Sequence, residues 1–307
     1  MAKKNCYNEG NIICISHKTD KTMSVNHADL NFRYKPFKFY FLTLLITWIA
    51  LFTAAYFSYN ENLTSYKYVF IYIAMLIPFT IAMFMIFGSG NDELKKDFRN
   101  RLINLKLIRP KYLLFILLIM PVTLVLATAI SLLFGQPVGQ FALSPSFSMM
   151  GGTAITVLFL GIILAPTFEE LGWRGYGVDS LAKKGRSLFK STLIFGLLWN
   201  LFHIPLFFIN GYYHYEILHA NIIYALNFIV SVFAMAFLAN WIYYKNNRSI
   251  PANILFHAVM NLFFSLFQTE QFTKCIITVI LLAVSAIIIL KDKPLWLNKT
   301  GQARFMV

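Results

Sequence analysis

Val157-Leu-Phe-Leu-Gly-Ile-Ile-Leu-Ala-Pro-Thr-Phe-Glu-Glu-Leu-Gly-Trp-Arg174 is the stretch on which the reading of this chain turns. An apolar run fit for a bilayer interior, Val157 to Ala165, ends in two adjacent carboxylates, Glu169 and Glu170, and a base, Arg174. Ionisable groups held at membrane depth are costly and mark chemistry or transport. Charges at the end of a span also reach water readily, so the same residues can be read as rim charges ahead of a solvated helix from Arg174 to Lys184. Pro166 removes a backbone donor and disfavours helix at the residue before it, which predicts a break in the span at Ala165-Pro166-Thr167. Thr167 and Glu170 have capping-box spacing, so a new helix is predicted to start there, its positive end favouring an ionised carboxylate nearby. Glu170 precedes Arg174 by four residues, the favourable order for a helical ion pair, whereas Glu169 points about 100° away around the helix. The expected division is a Glu170–Arg174 brace and a Glu169 free to accept a proton.

With 58% apolar and 13% charged residues, the chain is not an ordinary soluble domain. Apolar runs of spanning length recur and predict an all-α, polytopic transmembrane helix bundle of about eight spans. They are placed at 39–58, 68–88, 113–134, 148–166, 191–209, 222–243, 251–268 and 275–290. No cleavable signal peptide is expected, because the first apolar stretch begins near Phe39. Cys6, Cys14 and Cys275 form no CxxC pair, so neither a zinc knuckle nor a disulfide framework is indicated.

The net charge of +14 is distributed by topology. Lysines and arginines crowd the segments up to Lys38, from Lys95 to Lys111, from Arg174 to Lys190, and Lys245, Arg248 and the C-terminal tail, while the opposite loops hold only Lys67 and Lys274. That is the positive-inside signature, and it predicts both termini in the cytoplasm. Attraction to anionic membrane lipid follows, and nucleic-acid binding does not, since no basic-aromatic recognition module accompanies the charge. Residues 1–38 read as a basic cytoplasmic tail, and 39–111 as two accessory spans followed by a basic loop whose alternating signs predict a solvated amphipathic helix on the membrane surface. Residues 112–290 are the expected working core and 291–307 a second cytoplasmic tail.

Two further polar motifs lie in that core. Trp199-Asn-Leu-Phe-His203 places His203 about 18 Å along a helix starting near Ser191, well into the hydrocarbon. Trp199, one turn earlier, would pack over the imidazole, and Pro205 predicts irregular backbone facing protein or a wet cavity. His257-Ala-Val-Met-Asn261 sits on one face of the seventh span, opened by Ser249 and Pro251. Taken singly, either histidine can be a satisfied bundle-interior residue. His17, His27, His214 and His219 read as solvated.

Taken together, Glu169, His203, His257 and Asn261 are the polar set expected of a pocket that activates water and stabilises an oxyanion. A carboxylate with a His can deprotonate water, and a second His with an Asn amide can donate to a developing oxyanion. Glu169, His203 and His257 could instead hold a zinc ion with an open position. No HExxH occurs, so a soluble-type zincin is excluded. A proton-coupled transporter using Glu169 and the two histidines as a relay is a further alternative.

The three motifs, in this order, resemble the CPBP family of intramembrane proteases. That family comprises CAAX prenyl endopeptidases and bacterial Abi-type proteins linked to bacteriocin immunity and processing. Its EExxxR pattern is met in full by Glu169, Glu170 and Arg174, and HxxxN by His257 and Asn261; in FxxxH, ending at His203, Trp199 replaces the usual Phe. The likeness covers roughly 112–290. It implies that Glu169 and His203 activate the attacking water, that His257 and Asn261 form the oxyanion site, and that Arg174 is structural; metal participation stays open.

The expectation is thus an endopeptidase in a bacterial cytoplasmic membrane, open to the cytoplasm or inner leaflet, cutting a membrane-associated peptide or small precursor rather than a prenylated CAAX protein. A non-catalytic immunity or scaffold protein of the same fold is the alternative. One conflict stands: the spans put Glu169 near the cytoplasmic surface and His203 near midplane. It predicts either a later start for the fifth helix or, preferably, a fold-back of the chain after Pro166.

Overall fold

The computed structural model describes residues 34–148, 157–182 and 185–298. The expected tails up to residue 33 and from 299, with His17, His27, Cys6 and Cys14, lie outside the described residues, as does the start of the fourth span. Six helices are long and apolar enough to cross a membrane: Pro36–Ser58, Thr64–Phe87, Pro110–Leu132, Leu188–Phe208, Ile222–Lys245 and Gln271–Lys291. Ile250–Leu266 is apolar but shorter. We label the elements α1 (Pro36–Ser58), α2 (Lys67–Phe87), α3 (Asp92–Ile103), α4 (Pro110–Leu132), α5 (157–182), α6 (Leu188–His203), α7 (Tyr213–Ala220), α8 (Ile222–Lys245), α9 (Ile250–Leu266) and α10 (Gln271–Lys291). Proline at the first turn of α1, α4 and α9 fits the place where its missing N–H costs nothing. Ser187 and Ser249 cap α6 and α9 by accepting from the N–H groups of Lys190 and Ala252.

The decisive departure from the sequence reading is α5. No break occurs at Pro166. Val157–Leu164 is π-helical, Ala165–Gly172 α-helical, Trp173–Gly177 π-helical again and Val178–Ala182 α-helical, in one uninterrupted run. Pro166 falls where the hydrogen-bond register changes, so its missing donor is accommodated there. Thr167 does not cap a new helix; its hydroxyl donates to the Ile163 carbonyl at 2.6 Å, inside the run. The stretch beyond Arg174 is not solvated either, since every residue from Glu170 to Ala182 is buried.

This run removes the depth conflict without a fold-back. α5 and α6 form an antiparallel hairpin, with Trp173 meeting both Phe195 and Phe202. Glu169 lies before that hairpin by about as much as His203 lies beyond it, each roughly 20 Å along its helix at 1.5 Å per residue. The two therefore reach the same level. Gly172 lets α5 press directly on α2, because a Cβ there would stand 2.5 Å from the Pro78 carbonyl carbon. Trp173, fully buried, packs among Phe39 and Tyr40 of α1 and Phe195 and Phe202 of α6. The first two spans thus form part of the wall behind Glu169 and Glu170.

α3 also differs from expectation. Asn91 caps it, accepting from the Leu94 N–H at 2.8 Å, but Leu94, Phe98 and Arg101 are buried rather than solvated. Arg101 reaches into the second π-helical segment of α5, donating to the carbonyl oxygens of Arg174 at 2.7 Å and Gly175 at 3.1 Å. The same guanidinium pairs with Asp97 at 2.8 Å and Asp179 at 3.2 Å, and Arg248 pairs with both acids. The Tyr243 hydroxyl joins the cluster, donating to the Arg174 carbonyl at 3.1 Å. A π-helical turn displaces carbonyls from α-helical register, and here side chains from α3 and α8 hold them. Arg101→Lys keeps the charge but not the fork, so it should lower the thermal stability of the detergent-solubilised protein by about 1–3 kcal/mol. An unchanged unfolding midpoint would show that the fork holds nothing.

Candidate functional site

Glu170 and Arg174 form the expected brace, and it is wholly buried. Both residues are 0% exposed, and a guanidinium nitrogen lies 2.9 Å from the carboxylate. Arg174 further donates to the Asn240 amide oxygen at 3.2 Å and lies over the rings of Phe195 and Trp199. Asn240 in turn donates to the Thr192 hydroxyl at 2.9 Å. Glu170 has a second task that periodicity did not reveal. Its carboxylate stands 3.0 Å from Nδ1 of His257 and accepts from the Asn253 amide at 3.4 Å. A carboxylate in this setting is an acceptor, so Nδ1 of His257 carries the proton and Nε2 remains for the cavity.

Glu169 has no cationic partner among the described residues. Instead Oε2 accepts the indole N–H groups of Trp173 at 3.3 Å and Trp199 at 3.2 Å. Trp199 serves His203 as well: its carbonyl oxygen is 2.7 Å from Nδ1 of the imidazole. That bond places the proton on Nδ1 and leaves the Nε2 lone pair as an acceptor. One residue thus orients the carboxylate through its side chain and the imidazole through its backbone. Trp199 also sets its ring against both imidazoles, at centroid distances of 6.2 Å to His203 and 5.7 Å to His257. Asn261 donates to the Gly161 carbonyl in the first π-helical segment at 3.1 Å, leaving its second amide N–H unused by that contact.

His203, His257, Asn261 and Trp199 line one cavity of about 680 Å³. Glu169 is not in its lining and joins it through Trp199. The walls come from the first halves of α8 and α10 and the second half of α9, with Phe228, Met260 and Phe264 among the apolar contributors. These halves are the ones away from the basic loops. The clusters of Arg101, Asp179 and Arg248 and of Lys245 and Asp292 mark one end of the bundle. Lys67 with Asn210, and Tyr213 with Gln271, mark the other. The cavity therefore lies toward the end of the bundle away from the basic loops.

Among the described residues no three His, Cys, Asp or Glu side chains are grouped so as to hold a metal ion. No step of the proposed mechanism is routed through a metal.

His214 is a correction. Read as solvated, it is only 7% exposed, because α7 docks back on the bundle. Its ring lies 4.3 Å from that of Phe228 and stacks on His203 at 5.9 Å. Burial pushes its pKa well below the ordinary imidazole range, with the nearby His203 acting in the same direction. His219 is exposed, as expected. Residues missed at first are Asn253, Trp173 and Asn240. Asn253 was within reach, since it, His257 and Asn261 recur every four residues on one helix face.

A helical membrane bundle with a braced carboxylate–histidine pair and a polar-tipped interior cavity defines an intramembrane enzyme class. Residues 151–263 match the family model described as Type II CAAX prenyl endopeptidase Rce1-like. The chain is 43% identical over 272 residues to the CAAX prenyl protease 2 of Methanococcus maripaludis, covering 88% of this chain and 99% of that protein. It belongs to this CAAX protease (CPBP) family of multi-pass intramembrane endopeptidases.

Membership gives the tryptophan a test. Trp199→Phe restores the family's usual residue but deletes one of two donors to Glu169. Peptide hydrolysis should fall about 10–150-fold in kcat/KM, the loss of one hydrogen bond to a charged group. Equal rates for the two proteins would show that the indole N–H is idle.

Proposed function

We propose that the chain cleaves a peptide bond in a membrane-anchored peptide or protein, using water activated between Glu169 and His203. The observation that carries this reading is the Trp199 bridge, which sets the Glu169 carboxylate and the Nε2 lone pair of His203 at one level beside the cavity. Water between them gives its proton to this pair as its oxygen attacks the carbonyl carbon. His257 and Asn261 receive the oxyanion. Asn261 does so with its remaining N–H, and His257 donates from Nε2 when its ring is protonated, with Glu170 facing Nδ1. Collapse of the tetrahedral intermediate expels the amine, which takes a proton back from the same pair.

The relative's name supplies the substrate class to try first, a C-terminal Cys-aliphatic-aliphatic-X sequence with a prenylated cysteine. The largely apolar cavity wall suits a lipid-bearing chain. This reverses the preference drawn from sequence alone; an anchored bacteriocin precursor would meet the same requirement. The test is incubation of the full chain in detergent with a quenched peptide ending in S-farnesyl-Cys-a-a-X. Release of the C-terminal tripeptide is expected, and intact peptide after prolonged incubation would refute the reading.

A further inference from the structure

Two lysines stand at the end of the bundle that is poor in cations, and their situations differ. Lys67 is committed to the fold: it is buried, and its Nζ donates to the Asn210 carbonyl at 2.8 Å. Lys274, in the first turn of α10, lines the same cavity as His203, His257 and Asn261. Its ammonium lies 4.8 Å from the Tyr213 ring centroid and 3.5 Å from the Tyr213 hydroxyl, with Glu270 acting on it from beyond ion-pair distance. No carboxylate lies within ion-pair distance of it among the described residues, and no Asp or Glu is in the cavity lining. An ammonium in a largely apolar wall is costly, and one aromatic face offsets only part of that cost. Tyr213 is itself held, its hydroxyl donating to Gln271 at 3.2 Å and its ring edge-on to buried His214. The cavity therefore presents one positioned cation with no ion-paired carboxylate and no acid in its lining.

We propose that Lys274 is a substrate-specificity residue that binds a carboxylate of the peptide lying in the cavity, either the free C-terminus or an Asp or Glu side chain beyond the scissile bond. This rests on the cavity being the substrate site. A carboxylate held there fixes how far the chain enters, and so which peptide bond meets His257 and Asn261. A free C-terminus at Lys274 makes the enzyme a cutter of chain ends.

The test uses the full chain in detergent and three quenched peptides with S-farnesyl cysteine at the fourth position from the end. One has a free C-terminal acid, one a C-terminal amide, and one an amide with aspartate as its last residue. The wild type should cleave the acid at least about 10-fold faster in kcat/KM than the plain amide, as a charge-assisted hydrogen bond gives. Lys274→Met should bring that ratio to about one, and Lys274→Arg should keep it. Rescue of the amide by aspartate assigns the side-chain source; failure of rescue assigns the C-terminus. Equal rates for all three peptides in the wild type, as when a lipid phosphate occupies Lys274, overturn the proposal, as does a carboxylate preference that survives Lys274→Met. Cleavage of none of the three by the wild type instead removes the functional reading itself.

Discussion

Arg174→Ala is expected to cost about 3–5 kcal/mol, a large share of the stability of a typical fold. The reason lies in what remains. Glu170 is fully buried, and without the guanidinium its carboxylate keeps only His257 and Asn253 as partners. A charge stranded in a low-dielectric interior is far more costly than the ion pair was favourable. Arg174→Lys should not rescue it, because one ammonium cannot serve both Glu170 and Asn240 with the fork geometry that the guanidinium supplies. The double variant Glu170→Gln/Arg174→Gln removes both charges and should recover part of the loss. Hydrolysis should stay low in the double variant, since the amide no longer offers His257 a carboxylate. The measurement is the unfolding midpoint of purified protein in detergent. A single variant as stable as the wild type would show that the brace contributes nothing to the fold.

Glu169→Gln is expected to behave in the opposite way, with fold retained and hydrolysis lost. Glu169 forms no ion pair among the described residues, and a glutamine can still accept the indole N–H groups through its amide oxygen. What it cannot do is take a proton from water. Loss of a general base costs about 10²–10⁴-fold, so the rate of peptide cleavage should fall by that factor while the unfolding midpoint stays within about 0.5 kcal/mol of wild type. Full cleavage by Glu169→Gln would sink the assignment and leave His203 to act alone. Neighbouring acids thus have separable signatures, one in stability and one in rate.

Much of this was legible in the chain. Glu170 to Arg174, Trp199 to His203 and His257 to Asn261 are all i,i+4 pairs, and one helical turn is enough to place their partners on one face. Spans were legible for a similar reason, since apolar length is a local property. Pro166 misled, because the rule for proline describes an α-helix, and the run around it changes register. α3 misled as well: its charges look solvated until Asp179 and Arg248, distant in sequence, arrive beside Arg101. His214 failed likewise, for the aromatic cage that dries it comes from Phe207 and Phe228 on other elements.

The amino-acid sequence by itself determined the membrane class, the helical spans, the basic end of the bundle and the set of candidate polar residues. Only the tertiary structure decided that Glu170 orients His257, that Trp199 joins Glu169 to His203, and that the cavity lies away from the basic end. Helical periodicity acts over one turn, whereas a partner across helices depends on register, set here by a continuous α5 and the close approach at Gly172.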